Sequence, residues 1–156
     1  MRMSPRGVAL LQSFEGCKLK SYDDGVGVWT IGWGSTKGVK PGDCITQVEA
    51  DRRLREDDLP QYEKGVQDAV FGPFGGKAQI SQNQFDAMVC LCYNIGISAF
   101  LGSSVARKVR LGDREGAADA FLAWNKGGKP LKVIPGLTNR RKAERERFLE
   151  PDQPIS

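Results

Sequence analysis

Apolar positions recur at helical spacing near the start of the chain. Val8 and Leu11 lie about one helical turn apart, and they follow Ser4 and Pro5, a pair in which a capping hydroxyl precedes a residue with helical φ. The glycine after Glu15 is the residue type that commonly closes a helix. The pattern therefore predicts an opening helix with Glu15 at its C-terminal end.

Strand-like alternation follows at residues 18–22 and 28–34, with the turn-forming sequence DDGVG between them. This pattern predicts a β-hairpin. On the second strand, bulky side chains alternate with Thr30 and glycines, so we expect the bulky face to pack inward. Either the bare face gives a ligand access to the Thr30 hydroxyl and the backbone, or the glycines serve only the packing of the strand.

Capping signatures mark two of the later helices. Thr46 with Glu49 and Ser81 with Gln84 match the capping box, which predicts helices near 47–58 and 82–94. Hydrophobic periodicity and turn residues predict further helices near 60–70, 104–111, 114–124 and 138–149. A small β segment near 17–45 and a larger helical part together make an α+β arrangement.

The composition excludes several kinds of active site. The chain of 156 residues has no histidine, which excludes a Ser-His-Asp triad, a Cys-His dyad and a histidine metal site. Acid–base chemistry then falls to carboxylates, lysine, tyrosine or cysteine. The hydrophobic content of 40% suffices for one compact domain, and the net charge of +4 favours an anionic partner without identifying it.

A charge-free run in the middle of the chain has two possible interpretations. Residues 87–106 nominally reach membrane-spanning length, but polar residues and glycines interrupt them, so we expect a buried helix and a turn.

The cysteines form no CxxC pair, so structural zinc is not expected. They are either free thiols, or Cys17 or Cys44 takes part in a disulfide formed in an oxidising compartment.

Two acidic residues stand where they could act on one bond. The C-terminus of the predicted helix carries partial negative charge, which favours a protonated acid at Glu15, whereas Asp24 lies in an exposed turn that suits an ionised carboxylate. Glycoside cleavage requires such a pair. Because acidic residues near turns are common on surfaces, the spacing alone fits a structural role at least as well.

Several ordered segments, spread over about 135 residues, resemble the phage-type lysozymes, the endolysins of glycoside hydrolase family 24. The family signature is a Glu, eight residues, an Asp, five residues and a Thr, and it is met by Glu15, Asp24 and Thr30. The resembling segments are FEG at 14–16, KLKSYDD at 18–24, WTIGWGST at 29–36, ISQNQFDAMVCLCYNIG at 80–96, AFLGSSV at 99–105 and PGLTNRRKAER at 135–145.

The resemblance implies catalytic roles. Glu15 would be the general acid, Asp24 would position or activate the attacking water, and Thr30 would help to hold that water. The reaction would be the hydrolysis, with inversion, of the β-1,4 bond between N-acetylmuramic acid and N-acetylglucosamine in peptidoglycan. Inversion requires carboxyl groups about 6.5–9.5 Å apart. No metal and no cofactor is implied.

The resemblance also implies a lysozyme-like fold of two lobes within a single domain over residues 1–156. The β lobe would span about 17–45, and the helical lobe about 1–16 and 46–150, with the active-site cleft between the lobes. We expect a monomer whose partner is peptidoglycan, without nucleic acid and without stable membrane insertion. It would act on the cell wall from the cytoplasm or periplasm of the infected bacterium.

Four further residues are candidates for the site. The resemblance implies that Arg140, at the start of the last charged helix, supports Glu15, whereas its i,i+4 spacing from an acid is typical of a solvated face. Thr36, Asn94 and Ser103 are expected to line the saccharide groove, because sugars bind to polar donors and acceptors. Ser103 fits helix capping at least as well.

The chain departs from the family pattern at two points. Many relatives have a histidine where this chain has Ser35, so a structural pairing of that histidine is lost or replaced. Some relatives use cysteine pairing to stay inactive, and Cys17 lies close enough to Glu15 to serve similarly. Two other functions stay open: a lytic transglycosylase that leaves 1,6-anhydro ends, and a wall-binding module without catalysis.

Overall fold

The computed structural model describes residues 1–72, 76 and 78–152. The chain divides into two compact units, which we call the hairpin unit, Val8–Gln61, and the helical unit, Met1–Gly7 with Tyr62–Ser156. In chain order the elements are α1 Pro5–Phe14, β1 Lys18–Asp23, β2 Trp29–Gly32, α2 Gln47–Arg52, a π-helical segment Arg53–Asp58, α3 Leu59–Phe71, α4 Gln82–Ile95, α5 Ile97–Leu101, α6 Ser104–Arg110, α7 Arg114–Ala120, a 3₁₀ turn Phe121–Ala123, β3 Lys126–Gly127, β4 Lys132–Val133 and α8 Pro135–Leu149. The predicted α+β class is confirmed.

The opening helix begins where the sequence predicts. The Ser4 hydroxyl accepts a hydrogen bond from the N–H of Gly7 at 3.1 Å, and the Ser4 N–H donates to the buried Asp86 carboxylate at 2.9 Å. The Glu15 N–H still donates to the Leu11 carbonyl at 3.1 Å. Glu15 therefore extends the hydrogen bonding of α1 by one residue and marks its C-terminal end.

The predicted hairpin is confirmed as an antiparallel pair of β1 and β2. Tyr22 pairs with Thr30 and Lys18 with Gly32, with a shift of register between these pairs. Between these pairs β1 has two more residues than β2, so the ladder is irregular there. Gly32 ends β2 with φ of +64°, a conformation that favours glycine. The strand is therefore shorter than the predicted span of 28–34.

A third segment borders the hairpin. The Ser21 N–H donates to the Asp43 carbonyl at 2.8 Å, and the Ile45 N–H donates to the Leu19 carbonyl at 2.9 Å. The free edge of β1 is thereby covered by backbone hydrogen bonds. The apolar core of the hairpin unit consists of fully buried or nearly fully buried side chains: Val8, Leu11, Ile31, Ala50, Leu54 and Leu59.

The two helices predicted near 47–58 and 60–70 form one uninterrupted helical run from α2 through the π-helical segment to α3. Thr46 caps α2, since its hydroxyl accepts from the Glu49 N–H at 3.1 Å. The Glu49 carboxylate pairs instead with Arg52 at 2.8 Å and Arg53 at 3.0 Å. Of the two hydrogen bonds of a capping box, the one from the Glu49 N–H to the Thr46 hydroxyl is therefore the one that forms here.

In the helical unit, α4 and α8 pack against each other. The capping box at Ser81 and Gln84 is complete, which fixes the start of α4. The rings of Phe121 and Phe148 pack with centroids 5.4 Å apart. The charge-free run folds as predicted into a buried helix, α4, although a short helix, α5, follows it instead of a turn. Among the described residues, no helix has the length and hydropathy to span a membrane.

Three parts of the helical unit differ from the prediction. The short β3–β4 pair, which flanks a turn at residues 128–131, was not predicted, and α8 begins at Pro135 instead of near 138, because the fixed φ of proline suits a first helical position. Arg140 and its i,i+4 partner Glu144 are 4% and 0% exposed. The expectation of a solvated charged face is therefore wrong at this pair. The single domain and its cleft stay predictions.

Candidate functional site

The β1–β2 turn holds two neighbouring carboxylates in matching ways. Asp24 Oδ1 accepts hydrogen bonds from the N–H groups of Val26 at 3.0 Å and Val28 at 3.1 Å. Asp23 Oδ1 accepts in the same way from the N–H groups of Gly25 at 2.8 Å and Gly27 at 3.0 Å. Each side chain thus replaces backbone acceptors in the turn. For Asp24 these bonds use one carboxylate oxygen and leave Oδ2 for another partner.

Thr30 is tied to the same turn. Its hydroxyl donates to the Val28 carbonyl at 3.2 Å, and this carbonyl also accepts from the Asp24 N–H at 3.0 Å. The structure therefore brings Asp24 and Thr30 together through the backbone of one residue. Thr30 is only 6% exposed, while Trp29 on the bulky face is half-buried, so at these two positions burial does not follow the expected faces of the strand.

Glu15 lies between α1 and β1 in the same unit and is half-buried. The end of α1 is connected to α2 and to the end of β2 through Asp51. Asp51 Oδ1 accepts from Trp33 Nε1 at 2.8 Å, from Gln47 Nε2 at 3.0 Å and from Gln12 Nε2 at 3.5 Å. The Asp51 carboxylate therefore links α1, α2 and the residue that follows β2.

The cysteines, all within the described ranges, are free thiols. Cys17, two residues after Glu15, is half-buried, and its sulfur lies 3.7 Å from Gln47 Nε2, whereas Cys44 is exposed. Burial raises the pKa of Cys92 to about 12 and that of Cys90 well above its usual value. The two buried thiols are thus held protonated and unreactive at neutral pH.

Ser35 is bonded to a carboxylate of the following helical run. Its hydroxyl donates to Asp58 Oδ2 at 2.5 Å, and Ser35 is only 4% exposed. Burial raises the pKa of the Asp58 carboxyl, and the bond from Ser35 partly opposes this shift. Both residues line a cavity of about 620 Å³ beside Arg52 and Arg53. Thr36, the next residue, is exposed.

The helical unit contains the remaining predicted residues. Asn94 is exposed, and its Oδ1 accepts from Arg141 Nη2 at 2.8 Å. Arg140 Nη2 donates to the Cys90 carbonyl at 3.0 Å, and both arginines pair with Glu144, at 3.2 and 2.8 Å. Burial raises the pKa of the Glu144 carboxyl, and the two guanidiniums oppose that shift. Asn94 and Arg140 therefore belong to one connected cluster.

Ser103 forms the N-cap of α6. Its hydroxyl accepts from the Ala106 N–H at 3.1 Å and donates to the Phe100 carbonyl at 2.7 Å. Ser103 also borders a groove of about 620 Å³ whose other walls include Arg107, Lys108 and the half-buried Trp124. The alternative of helix capping is confirmed for Ser103, and the groove provides polar walls with one aromatic side chain.

Comparison with known proteins identifies the family. The family model described as Phage lysozyme matches residues 12–144. The chain belongs to the phage lysozyme family. An endolysin of Salmonella phage P22 is 40% identical over 154 residues, which cover 96% of this chain and 99% of that protein.

Two more relatives cover nearly the whole chain. An endolysin of Acyrthosiphon pisum secondary endosymbiont phage 1 is 38% identical over 151 residues, 95% of this chain and 98% of the relative. The solved muramidase domain of SpmX from Asticaccaulis excentricus superposes with a TM-score of 0.87 at 36% identity, covering 96% of this chain and 99% of that chain. Like the other phage lysozymes, the chain is a peptidoglycan-degrading enzyme of host cell lysis that acts on the cell wall.

Sequence reasoning did not anticipate three hydrogen-bond partners in the hairpin unit of this phage lysozyme. The Val28 carbonyl binds the candidate Thr30, whereas the carboxylates of Asp51 and Asp58 bind Trp33 and Ser35. A backbone partner such as Val28 carries no side-chain signal. Asp51 and Asp58 lie in the charged helix predicted near 47–58, where nothing in the local pattern distinguishes them from solvated acids.

Proposed function

We propose that the chain is an inverting muramidase that hydrolyses the β-1,4 bond between N-acetylmuramic acid and N-acetylglucosamine. The observation that carries this proposal is the connection of Asp24 and Thr30 through Val28, because it fixes a carboxylate and a hydroxyl in one rigid turn. The name of one solved relative, a muramidase domain, supports the same reaction.

Asp24 and Thr30 act on the water. The two backbone donors on Asp24 Oδ1 fix the plane of the carboxylate, so Oδ2 can accept a proton from a water molecule without reorientation. The Thr30 hydroxyl, fixed 3.2 Å from the Val28 carbonyl, offers its oxygen as a second anchor for that water. Preorganisation of this kind lowers the cost of reaching the transition state.

Glu15 acts as the general acid. Its position directly after α1, in the same unit as Asp24 and Thr30, supports this role. In an inverting reaction the acid donates its proton to the leaving oxygen while the water attacks from the opposite face of the sugar. Arg140 is proposed to support Glu15, and Arg140→Ala with unaltered lysis would contradict that role.

The substrate contacts are assigned to polar residues. Thr36 and Asn94 are exposed and can offer hydrogen-bonding groups to a glycan strand. At Ser103 the groove beside Trp124 has the mixed polar and aromatic walls that saccharide sites use, although the Ser103 hydroxyl is already engaged in capping. The net charge of +4 aids adsorption to anionic wall polymers.

Digestion of purified peptidoglycan, followed by mass spectrometry of the reducing ends, tests the reaction. Hydrolysis gives reducing N-acetylmuramic acid, whereas a lytic transglycosylase gives 1,6-anhydro ends that are lighter by one water. A wall-binding module releases no muropeptide. Glu15→Gln should abolish release and retain the fold, and Glu56→Gln, an exposed acid in the same unit, should leave release unchanged.

The compartment is tested separately. We propose that the protein reaches the wall from the cytoplasm or periplasm of the infected bacterium as a monomer. Fractionation of infected cells before lysis, with sedimentation of the recovered protein, tests both parts. Recovery in a stable membrane-inserted form would contradict the proposal.

A further inference from the structure

A buried guanidinium fixes the side-chain amide of Asn94. Arg141 is 0% exposed, and its Nη2 lies 2.8 Å from Asn94 Oδ1. Asn94 is itself exposed, in the last turn of α4. One end of this hydrogen bond is therefore held in the interior of the helical unit, and the other end meets solvent.

The contact decides which atoms of the amide face outward. A guanidinium has hydrogen-bond donors and no acceptor, so the Asn94 atom that it meets is the carbonyl oxygen. The amino group then occupies the other branch of the amide. Asn94 thus offers N–H donors to a ligand while Arg141 holds its oxygen.

Arg141 is itself held by charge. Its Nε lies 2.8 Å from Glu144 Oε1, and Glu144 Oε2 lies 3.2 Å from Arg140 Nε. All three side chains are at most 5% exposed. A rotation of Arg141 away from Asn94 would disturb this buried ion cluster, and separating buried ions is costly. The interior therefore keeps Arg141, and through it Asn94, in one orientation.

We propose that Asn94 is a specificity-determining residue that donates to a carbonyl or carboxylate oxygen of peptidoglycan, and that Arg141 is its positioning residue. This assignment rests on the proposed function, in which Asn94 contacts the substrate. Peptidoglycan carries such oxygens on the acetamido groups of its sugars and on its stem peptides. A fixed N–H donor is well matched to a group that can only accept, such as a carbonyl or carboxylate oxygen. A hydroxyl group can also donate, and a fixed donor alone does not favour it over these acceptors.

Asn94→Asp tests the donor role. The variant keeps the shape of the side chain and still accepts from Arg141, but it replaces the amino group with an acceptor oxygen. With soluble glycan strands as substrate we expect KM to rise about tenfold while kcat changes by less than about twofold. An unchanged KM overturns the inference and leaves the proposed function standing, whereas wild-type protein that releases no muropeptide refutes the proposed function itself.

Two comparisons make this test specific. Ser98→Asp adds the same charge at an exposed position of α5 and should leave KM at the wild-type value. An equal rise of KM in Ser98→Asp would overturn the inference, because general repulsion would then explain both variants. On strands stripped of peptide, a persisting effect of Asn94→Asp places the acceptor on the sugars, and a vanishing effect places it on the stem peptide; both results support the donor role.

A double-mutant cycle tests Arg141. We expect Arg141→Lys to raise KM in the wild-type background and to have no further effect on KM when Asn94 is already alanine. Destabilisation of the fold would lower the thermal midpoint in both backgrounds but would not produce this coupling. Equal effects of Arg141→Lys on KM in both backgrounds would overturn the positioning role.

Discussion

Asp24 and Val28 are joined by two hydrogen bonds that close the β1–β2 turn. The Asp24 N–H donates to the Val28 carbonyl at 3.0 Å, and the Val28 N–H donates back to Asp24 Oδ1 at 3.1 Å. The Thr30 hydroxyl donates to the same carbonyl. Backbone and side chain of Asp24 are therefore fixed together, which restricts the carboxylate far more than an exposed turn alone would.

Asp24→Asn should lower kcat by about 10²–10⁴-fold, the range associated with loss of a general base. The amide oxygen of the variant can still accept both backbone hydrogen bonds, so the thermal midpoint should stay close to that of the wild type. Muropeptide release and thermal unfolding of the same preparation measure the two quantities.

The neighbouring Asp23 provides a matched control, because its carboxylate makes equivalent turn bonds to Gly25 and Gly27. Asp23→Asn should retain wild-type kcat. If both variants lost activity equally, the turn and not the Asp24 charge would be responsible, and the base assignment would be abandoned.

Thr30→Val should lower both activity and stability, whereas Thr30→Ser should retain most of each. Valine has nearly the same shape as threonine but cannot donate to the Val28 carbonyl, and the net loss of such a bond costs about 1 kcal/mol. Urea unfolding measures the stability, and initial rates of release measure the activity. Wild-type rates in Thr30→Val would remove Thr30 from the proposed mechanism.

Much of the local structure could be predicted from short-range signals. Ser4 at α1, Ser81 at α4 and Thr46 at α2 cap their helices as expected, because a cap depends only on residues a few positions away. The burial of Arg140 could not be predicted, because an i,i+4 ion pair has the same sequence pattern on a surface and in an interior. Packing of α8 against α4, a long-range contact, decides between them.

The candidate site was likewise predictable only in part from the sequence. Glu15, Asp24 and Thr30 were placed by sequence spacing and by resemblance, and the hairpin then accounts for the proximity of Asp24 and Thr30. The burial of Thr30 was not anticipated, since strand alternation predicts only opposite faces and not which elements cover each face. The partner of Ser35 likewise became evident only when the fold brought Asp58 beside it.

Glu144→Gln should reduce the free energy of unfolding by about 3 kcal/mol, because removal of one partner from a buried ion cluster leaves uncompensated charge. Here two buried guanidiniums would lose their carboxylate. Urea unfolding measures the change, and Glu146→Gln, an exposed acid on the same helix, is the control that should change little. Equal stability of Glu144→Gln and the wild type would mean that the cluster relaxes and contributes little to the fold.

The stability of Asp58→Asn relative to that of the wild type should increase as the pH rises. Burial raises the pKa of Asp58 in the folded state above its value in the unfolded chain, near 4. Between the two values the folded state binds more protons, so the free energy of unfolding of the wild type falls as the pH increases through this window. The asparagine variant can keep the hydrogen bond from Ser35 without that ionisation cost. Urea unfolding at about pH 3.5 and pH 7 should therefore show a difference between variant and wild type that favours the variant more at pH 7. Asp68→Asn, which removes an exposed carboxylate paired with Lys64, is the control for the loss of one negative charge elsewhere in the protein. A difference between Asp58→Asn and the wild type that is independent of pH would show that burial does not perturb the ionisation of Asp58.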